Sequence, residues 1–307
     1  MSADDGNRGA RAGRGRLWVC AALAFVTAAY AAPLLNMVAV SLRQASSAAT
    51  PGLDPLPMIR DASGRSLART SAAYWSTLGL DAARNYRDVW SGPGSDFPTY
   101  LRNSMLVALP SVAGAVVSSC LAAYGFARLR WRGREVLFLI LLATLMLPQA
   151  VLMVPQYLLF RSAGLVGTFA PLWLPSCMAG AFSVFLLRQF FRTIPAELDE
   201  AARIDGCSHL GILWRVIVPL SRPAIALVAL LQFVASWNDF LGPLLYLNHQ
   251  DRYTLTLGLH LYLAQQNQVP WNLVMAASAI TMAPVVVVYA FSRRFFTEGA
   301  ATQGLKE

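Results

Sequence analysis

Residues 104–127 read SMLVALPSVAGAVVSSCLAAYGFA, and none of them is Asp, Glu, Lys, Arg or His. An α-helix needs about 20 predominantly apolar residues to cross the hydrocarbon core of a bilayer. The next seven residues, 128–134, read RLRWRGR and carry four arginines. Arginines are concentrated in short loops on the cytoplasmic side of a membrane. The stretch therefore predicts a membrane-spanning helix followed by a short cytoplasmic connection.

The composition of the whole chain supports the same fold class. Of its 307 residues, 56% are hydrophobic and 13% are charged, whereas soluble domains carry about 25% charged residues. The basic residues are all arginine except Lys306. They stand in short clusters beside apolar runs, which favours orientation in a membrane over binding of nucleic acid. We expect an all-α polytopic membrane protein with no room for a large soluble catalytic domain.

Six apolar stretches are long enough to span a bilayer. The first follows four arginines and resembles a secretory signal, but its uncharged run exceeds the usual signal core, so an anchored helix is favoured over a cleaved one. Pro148, Pro155 and Pro284 should interrupt the helices that contain them. The predicted spans are residues 17–42, 104–127, 136–160, 169–187, 223–247 and 271–292.

The distribution of arginine predicts the topology. The N-terminal arm 1–16, the loop 188–222 and the tail 293–307 are rich in arginine and should share the cytoplasmic side with residues 128–134. The connections 161–168 and 249–270 carry one arginine each and should lie outside. The outer loop 43–103 should be partly disordered through Ser76, because it is rich in Ser, Ala, Pro and Gly. Residues 85–90, NYRDVW, predict a short helix at the membrane surface.

No metal site or disulfide framework is expected. The four cysteines are far apart and contain no CxxC pair, and the three histidines have no ligand spacing.

The loop 188–222 has the pattern of a helix, a turn and a second helix. Pro195 suits a first helical turn, and the acids that follow it suit the positive end of a helix dipole. Ala201 and Ala202 offer a small-residue surface for close approach, and Gly206 suits a turn. The second helix should end at Pro219 and present one apolar face, formed by Leu210, Leu213, Trp214 and Ile217. Such a loop is a docking element, or else a helix packed only on its own bundle.

This loop resembles the EAA loop of ATP-binding-cassette importer permeases. The pattern of that family is Glu-Ala-Ala, three residues, Gly, nine residues, Ile, one residue and Leu-Pro, and Val216 and Val218 here replace the Ile and Leu. Residues 85–86, 103–104, 122–130, 203–206 and 237–244 further resemble the carbohydrate branch, in particular the maltose-type second permease subunit. The residues that carry the implied ATPase coupling are Glu200, Ala201, Ala202, Asp205, Gly206 and Pro219.

The resemblance implies a division of labour among several chains in a bacterial inner membrane. A second permease would complete the pathway, two ATPase subunits would dock on the cytoplasmic loops, and an extracytoplasmic binding protein would deliver a sugar or oligosaccharide. The chain itself would be non-catalytic, with a five-helix core over 104–292 after the first span. The sequence supports this assignment, since a P-loop needs Gly-Lys-Ser/Thr and the only lysine, Lys306, stands between Leu and Glu. ATP and Mg²⁺ would therefore bind the partner ATPase.

The solute pathway has one candidate segment, residues 237–239. Asp239 is a site candidate because acids inside apolar segments are often functional, although it could instead be solvated or capped by Asn238. Trp237 could stack on a sugar or could anchor the helix at the interface. The loop 249–270 could touch the binding protein or only cover the helix ends.

Three other functions remain open at this stage. An importer permease for phosphate or for amino acids would have the same loop. An ion-coupled secondary carrier is disfavoured, because such carriers need buried ionisable groups and five of the six spans have none. The sequence does not indicate which solute is carried.

Overall fold

The structure is a computed structural model of residues 1–307 and describes the backbone of residues 4–44, 59, 65–92, 96–264 and 270–303. Side chains are described from residue 18 to residue 294 within these ranges. The expected disorder over 45–58 and 60–64, and the outer-loop residues 265–267, lie outside this part of the chain.

All the regular elements of the described chain are helices, so the predicted all-α class is confirmed. The helices are α1 (Asp4–Ser41), α2 (Ala72–Ser91), α3 (Phe97–Ala127), α4 (Arg134–Ala143), α5 (Gln149–Ser162), α6 (Ala170–Trp173), α7 (Ala181–Thr193), α8 (Glu197–Ile204), α9 (His209–Ile212), α10 (Val218–Leu220), α11 (Arg222–Trp237), α12 (Leu241–Tyr246), α13 (Leu255–Ala264) and α14 (Trp271–Gln303).

Four helical stretches of the described chain are individually long and apolar enough to cross a membrane. Two bent pairs bring the number to the predicted six if each pair forms one span. The first pair is Arg134–Met146 with Gln149–Ser162, bent by 100° at a break that contains Pro148. The second is His209–Leu220 with Arg222–Trp237, bent by 84° at Ser221. Pro223 lies just after this break, in the first turn of α11, where a helix tolerates proline because the missing N–H would have no partner within the helix.

Several predicted boundaries differ from the structure. The fifth span was expected to reach residue 247, but α11 ends at Trp237 and a separate short helix, α12, follows. The surface helix expected over 85–90 is part of the longer α2. Pro155 and Pro284 were expected to interrupt their helices, yet each lies inside a continuous helix. Membrane helices tolerate proline where neighbouring groups satisfy the freed carbonyl.

The contacts divide the chain into two compact units, Met1–Ser95 with Leu263–Ile280, and Asp96–Tyr262 with Thr281–Glu307. In the first unit, the buried Asn85 side chain donates hydrogen bonds to the carbonyls of Ser41 (2.8 Å) and Arg43 (2.9 Å). Asn272 donates to the Asn85 side-chain oxygen at 2.8 Å. The end of α1 is thereby fixed to α2 and to the start of α14.

In the second unit, α3 packs against α7 and α11. The buried core contains Cys120 and Ala123 of α3, Val184 and Leu187 of α7, and Val228 of α11. The same core continues into residues 202–217, so it directly supports the loop that carries the predicted coupling residues.

Candidate functional site: the loop between α7 and α11

Helix α8 has one exposed face and one buried face. Four of its six exposed residues, Glu197, Glu200, Ala201 and Ile204, follow the i, i+3, i+4, i+7 spacing of a single helical side, and the other two are Leu198 and Arg203. Ile204 is 87% exposed, although it is a large apolar residue. We call these four residues the outer face of α8.

The opposite side of α8 is formed by Asp199 and Ala202. Ala202 is only 8% exposed and belongs to the core cluster. Successive residues of an α-helix point about 100° apart, so Ala201 and Ala202 cannot share one surface fully. The expected small-residue surface is therefore reduced to Ala201, and Ala202 instead packs α8 on the bundle.

An ion pair joins α8 to the end of α3. Arg128 Nε lies 3.6 Å from Asp199 Oδ2, and each side chain is 8% exposed. The Arg128 guanidinium also donates a 2.8 Å hydrogen bond to the Ile194 carbonyl. Arg128 caps the C-terminus of α3, where the helix dipole favours a cation. Movement of α8 would therefore displace a group fixed to α3.

The turn after α8 depends on glycine. Gly206 has a backbone φ of +79°, a left-handed conformation that is costly for other residues. The Cys207 N–H then donates to the Ala202 carbonyl at 2.9 Å, which closes the end of α8. Asp205 is exposed at this end, and Ser208 caps the next helix by accepting from the Gly211 N–H at 3.2 Å. The helix, turn and helix expected from the sequence are present.

The second helix of the loop does not have the single apolar face that we expected. Leu213 and Ile217 are fully buried, whereas Leu210 and Trp214 are exposed. Residues 213–217 adopt a π-helical turn, which changes the direction of side chains relative to an α-helix. Pro219 is exposed inside α10, and the helix continues one residue further to Leu220.

A buried arginine fixes α7, which extends through the start of the predicted loop to Thr193. Arg188 donates to both carboxylate oxygens of Glu135, at 3.0 and 2.9 Å, and to the Phe126 carbonyl at 3.2 Å. Its guanidinium also lies 3.9 Å from the centre of the Phe138 ring. Sequence reasoning counted Arg188 only as a topology marker, because the partner Glu135 is 53 residues away.

The three residues proposed for the solute pathway have different environments. Trp237 is 2% exposed, stacks on Phe233 and donates from Nε1 to the Thr281 carbonyl at 3.0 Å. It is a packing residue and is not accessible to a sugar. Asn238 is exposed and caps the end of α11. Asp239 lines a cavity of about 410 Å³ and accepts a 3.0 Å hydrogen bond from the Gly242 N–H.

That cavity contains polar residues that the sequence reasoning missed. Gln149 and Gln156 of α5 line it together with Ser176, and Gln232 of α11 donates to the Ser176 hydroxyl at 3.0 Å. No Arg, Lys or His is among its fourteen lining residues. The two glutamines of α5 are seven residues apart, a spacing that places them on one helix face and could have been recognised.

Residues 113–300 match the sequence profile of the family described as binding-protein-dependent transport system inner membrane component. The match covers more than half of the chain. The chain belongs to this family. It is a multi-pass permease subunit, and the predicted resemblance is confirmed.

Individual relatives cover most of the chain. An arabinooligosaccharide transport system permease, AraQ of Halalkalibacterium halodurans, is 32% identical over 92% of this chain and 94% of the relative. The trehalose/maltose permease MalG of Thermococcus litoralis is 34% identical over 76% of this chain and 82% of the relative. A chain of a crystallised bacterial importer of alginate has a TM-score of 0.74, at 23% identity and coverage of 96% and 99%. Because its sequence identity is low, the similarity to the alginate importer shows the fold alone.

Proposed function

We propose that this permease carries a sugar or oligosaccharide inward and is driven by a partner ATPase that docks on the outer face of α8. A second permease would complete the pathway, and a solute-binding protein would deliver the solute from outside. Both termini would be cytoplasmic, as the arginine distribution predicts. The chain would bind no ATP or Mg²⁺, because these belong to the ATPase.

One observation carries the coupling proposal, namely the exposed apolar and acidic outer face of α8. A contiguous exposed apolar surface rimmed by polar residues marks an interaction site. Ile204 and Ala201 form the exposed apolar part of this face, and the small Ala201 side chain permits close approach of another chain. Glu197 and Glu200 flank them and would pair with basic groups on the ATPase.

The buried side of α8 explains how docking would act on the pathway. The Arg128–Asp199 pair and the packing of Ala202 connect α8 to α3. Closure of the ATPase dimer would move α8, and α3 would follow with the helices packed on it. The permease would thereby shift between an inward-open and an outward-open state, because the closed ATPase dimer binds one of these states more tightly than the other.

The sugar assignment is supported by two relatives with sugar names and by the cavity around Asp239. Its amides, hydroxyls and single carboxylate offer donors and acceptors, which suit a polyhydroxylated solute. A phosphate or sulfate would find no cation among the lining residues of this cavity. The alternative of an inorganic phosphate permease is accordingly less well supported.

Uptake by the assembled transporter tests the coupling proposal. Ala201→Arg and Glu200→Arg should abolish ATPase copurification and solute uptake. Leu220→Arg is the control and should retain both, because Leu220 is exposed but lies outside the outer face of α8. Equal retention by all three variants would contradict the proposal.

Uptake also tests the solute cavity. Asp239→Asn and Gln232→Ala should reduce solute uptake at subsaturating concentration, while ATPase copurification stays normal. Asn238→Ala is the matched control, because Asn238 is adjacent in sequence but does not line the cavity. Wild-type uptake by both cavity variants, with a range of sugars, would argue against this pathway.

A further inference from the structure

A second, larger cavity lies beside α8 and is rich in arginine. Its volume is about 820 Å³, and it is bordered by the α3–α4 connection, α7 and α8. Asp199 and Glu200 are the acids among its lining residues. With His209 neutral, the lining has a net charge of +3. We call this cavity the arginine pocket; its arginines are Arg128, Arg130, Arg134, Arg192 and Arg203.

Only two of the five guanidinium groups have protein partners. Arg128 is held by Asp199 and the Ile194 carbonyl, and Arg134 by Glu135 and the Leu129 carbonyl. Among the described residues, the guanidinium groups of Arg130, Arg192 and Arg203 make no hydrogen bond or ion pair, and all three side chains are exposed.

Guanidinium groups gathered around one concavity repel each other. A bound anion would remove that repulsion and accept charge-assisted hydrogen bonds, and the planar guanidinium fork matches phosphate oxygens.

The surroundings of the arginine pocket indicate where its ligand comes from. Helix α4 begins at Arg134, and its apolar residues Val136, Leu137 and Leu139 are exposed, as expected of side chains that face lipid. Trp131 lines the pocket and is 41% exposed. Tryptophan is enriched at the level of lipid headgroups. The pocket therefore adjoins the boundary between headgroups and hydrocarbon, where phosphate groups are abundant.

We infer that the arginine pocket binds the phosphate of an anionic phospholipid headgroup. Arg130, Arg192 and Arg203 would contact the phosphate oxygens, and Trp131 would lie against the glycerol and the upper acyl chain. Basic pockets beside membrane helices bind anionic headgroups in this way. A lipid held there would also touch α8 through Arg203, next to its outer face. The inference does not depend on which solute is carried.

Native mass spectrometry of the full permease complex tests the inference. The complex is delipidated in detergent and titrated with phosphatidylglycerol or with zwitterionic phosphatidylcholine, and retained lipids are counted. We expect a retained phosphatidylglycerol whose affinity falls about tenfold or more in Arg130→Ala or Arg192→Ala. Arg132→Ala is the matched control, because Arg132 is exposed on the same connection but outside the pocket. It should retain the lipid.

Four outcomes would overturn the inference. Phosphatidylcholine could bind equally well, or Arg132→Ala could lose as much affinity as the pocket variants. Inorganic phosphate, titrated alone, could bind the wild-type complex as tightly as phosphatidylglycerol does, which would make free phosphate the ligand. Finally, the pocket variants could lose the copurified ATPase while retaining lipid, which would make the pocket a protein contact. Thermal melting of each variant checks that the fold is intact.

Discussion

Removing the carboxylate of Asp199 should destabilise the protein and uncouple it. At the 3.6 Å separation of Arg128 Nε and Asp199 Oδ2, the Coulomb attraction is about 5 kcal/mol for an effective dielectric constant of about 20. Desolvation offsets part of this attraction, but removal of one partner leaves the other charge buried and unpaired, at a cost of about 3–5 kcal/mol. In Asp199→Asn, Arg128 would keep only its hydrogen bond to the Ile194 carbonyl.

The assay combines stability with coupling. Thermal unfolding of the purified complex should show a clear decrease in melting temperature for Asp199→Asn, and uptake per ATP hydrolysed should fall. Asp205→Asn is the control for the melting temperature alone, because it removes an exposed acid from the end of the same helix. A double-mutant cycle with Arg128→Gln isolates the pair, since a direct interaction makes the two single effects non-additive. Equal stability of Asp199→Asn and Asp205→Asn, with additive effects in the cycle, would refute the reasoning.

Three further substitutions have defined outcomes. Gly206→Val should lower uptake while leaving membrane insertion intact, because the left-handed backbone costs a non-glycine residue about 1–2 kcal/mol; wild-type uptake in vesicles would contradict this. Trp237→Ala should reduce thermal stability by about 3–5 kcal/mol, whereas Asn238→Ala should not; equal melting curves would show that Trp237 is not a packing residue. Gly258→Ala should also lower the melting temperature, because an added Cβ would clash with the Tyr100 ring, while Gly125→Ala, where the space is open, should be neutral.

Much of the fold follows from hydropathy because lipid imposes a simple rule. Backbone N–H and C=O groups inside a bilayer must form their hydrogen bonds within the same segment, so long uncharged runs become helices. The span over 104–127 was predicted on this basis and is contained in α3. Hydropathy alone could not indicate that the apolar run 223–247 contains two helices. A break at residues 238–240 separates the two helices, and the Asp239 carboxylate accepts a hydrogen bond from the Gly242 N–H at the start of α12.

The candidate site was predicted less completely, because it depends on contacts between distant segments. The turn at Gly206 could be predicted locally, since glycine is favoured where the backbone φ is positive. The pair of Arg128 with Asp199 joins residues 71 positions apart, and no local pattern reveals it. The accessibility of Trp237 was likewise not predictable, because Phe233 and the Thr281 carbonyl enclose it only in the folded protein.

The proposed coupling depends on the docking of an ATPase against the outer face of α8. The most direct measurement is site-directed crosslinking in inner-membrane vesicles. Cys20, Cys120, Cys177 and Cys207 are first replaced by alanine, and a single cysteine is then introduced as Ala201→Cys. We expect a crosslink to a nucleotide-binding subunit whose yield changes with ATP, and labelling of the cysteine only from the cytoplasmic side. Labelling from the exterior, or no crosslink to a nucleotide-binding subunit in vesicles active in uptake, would contradict it.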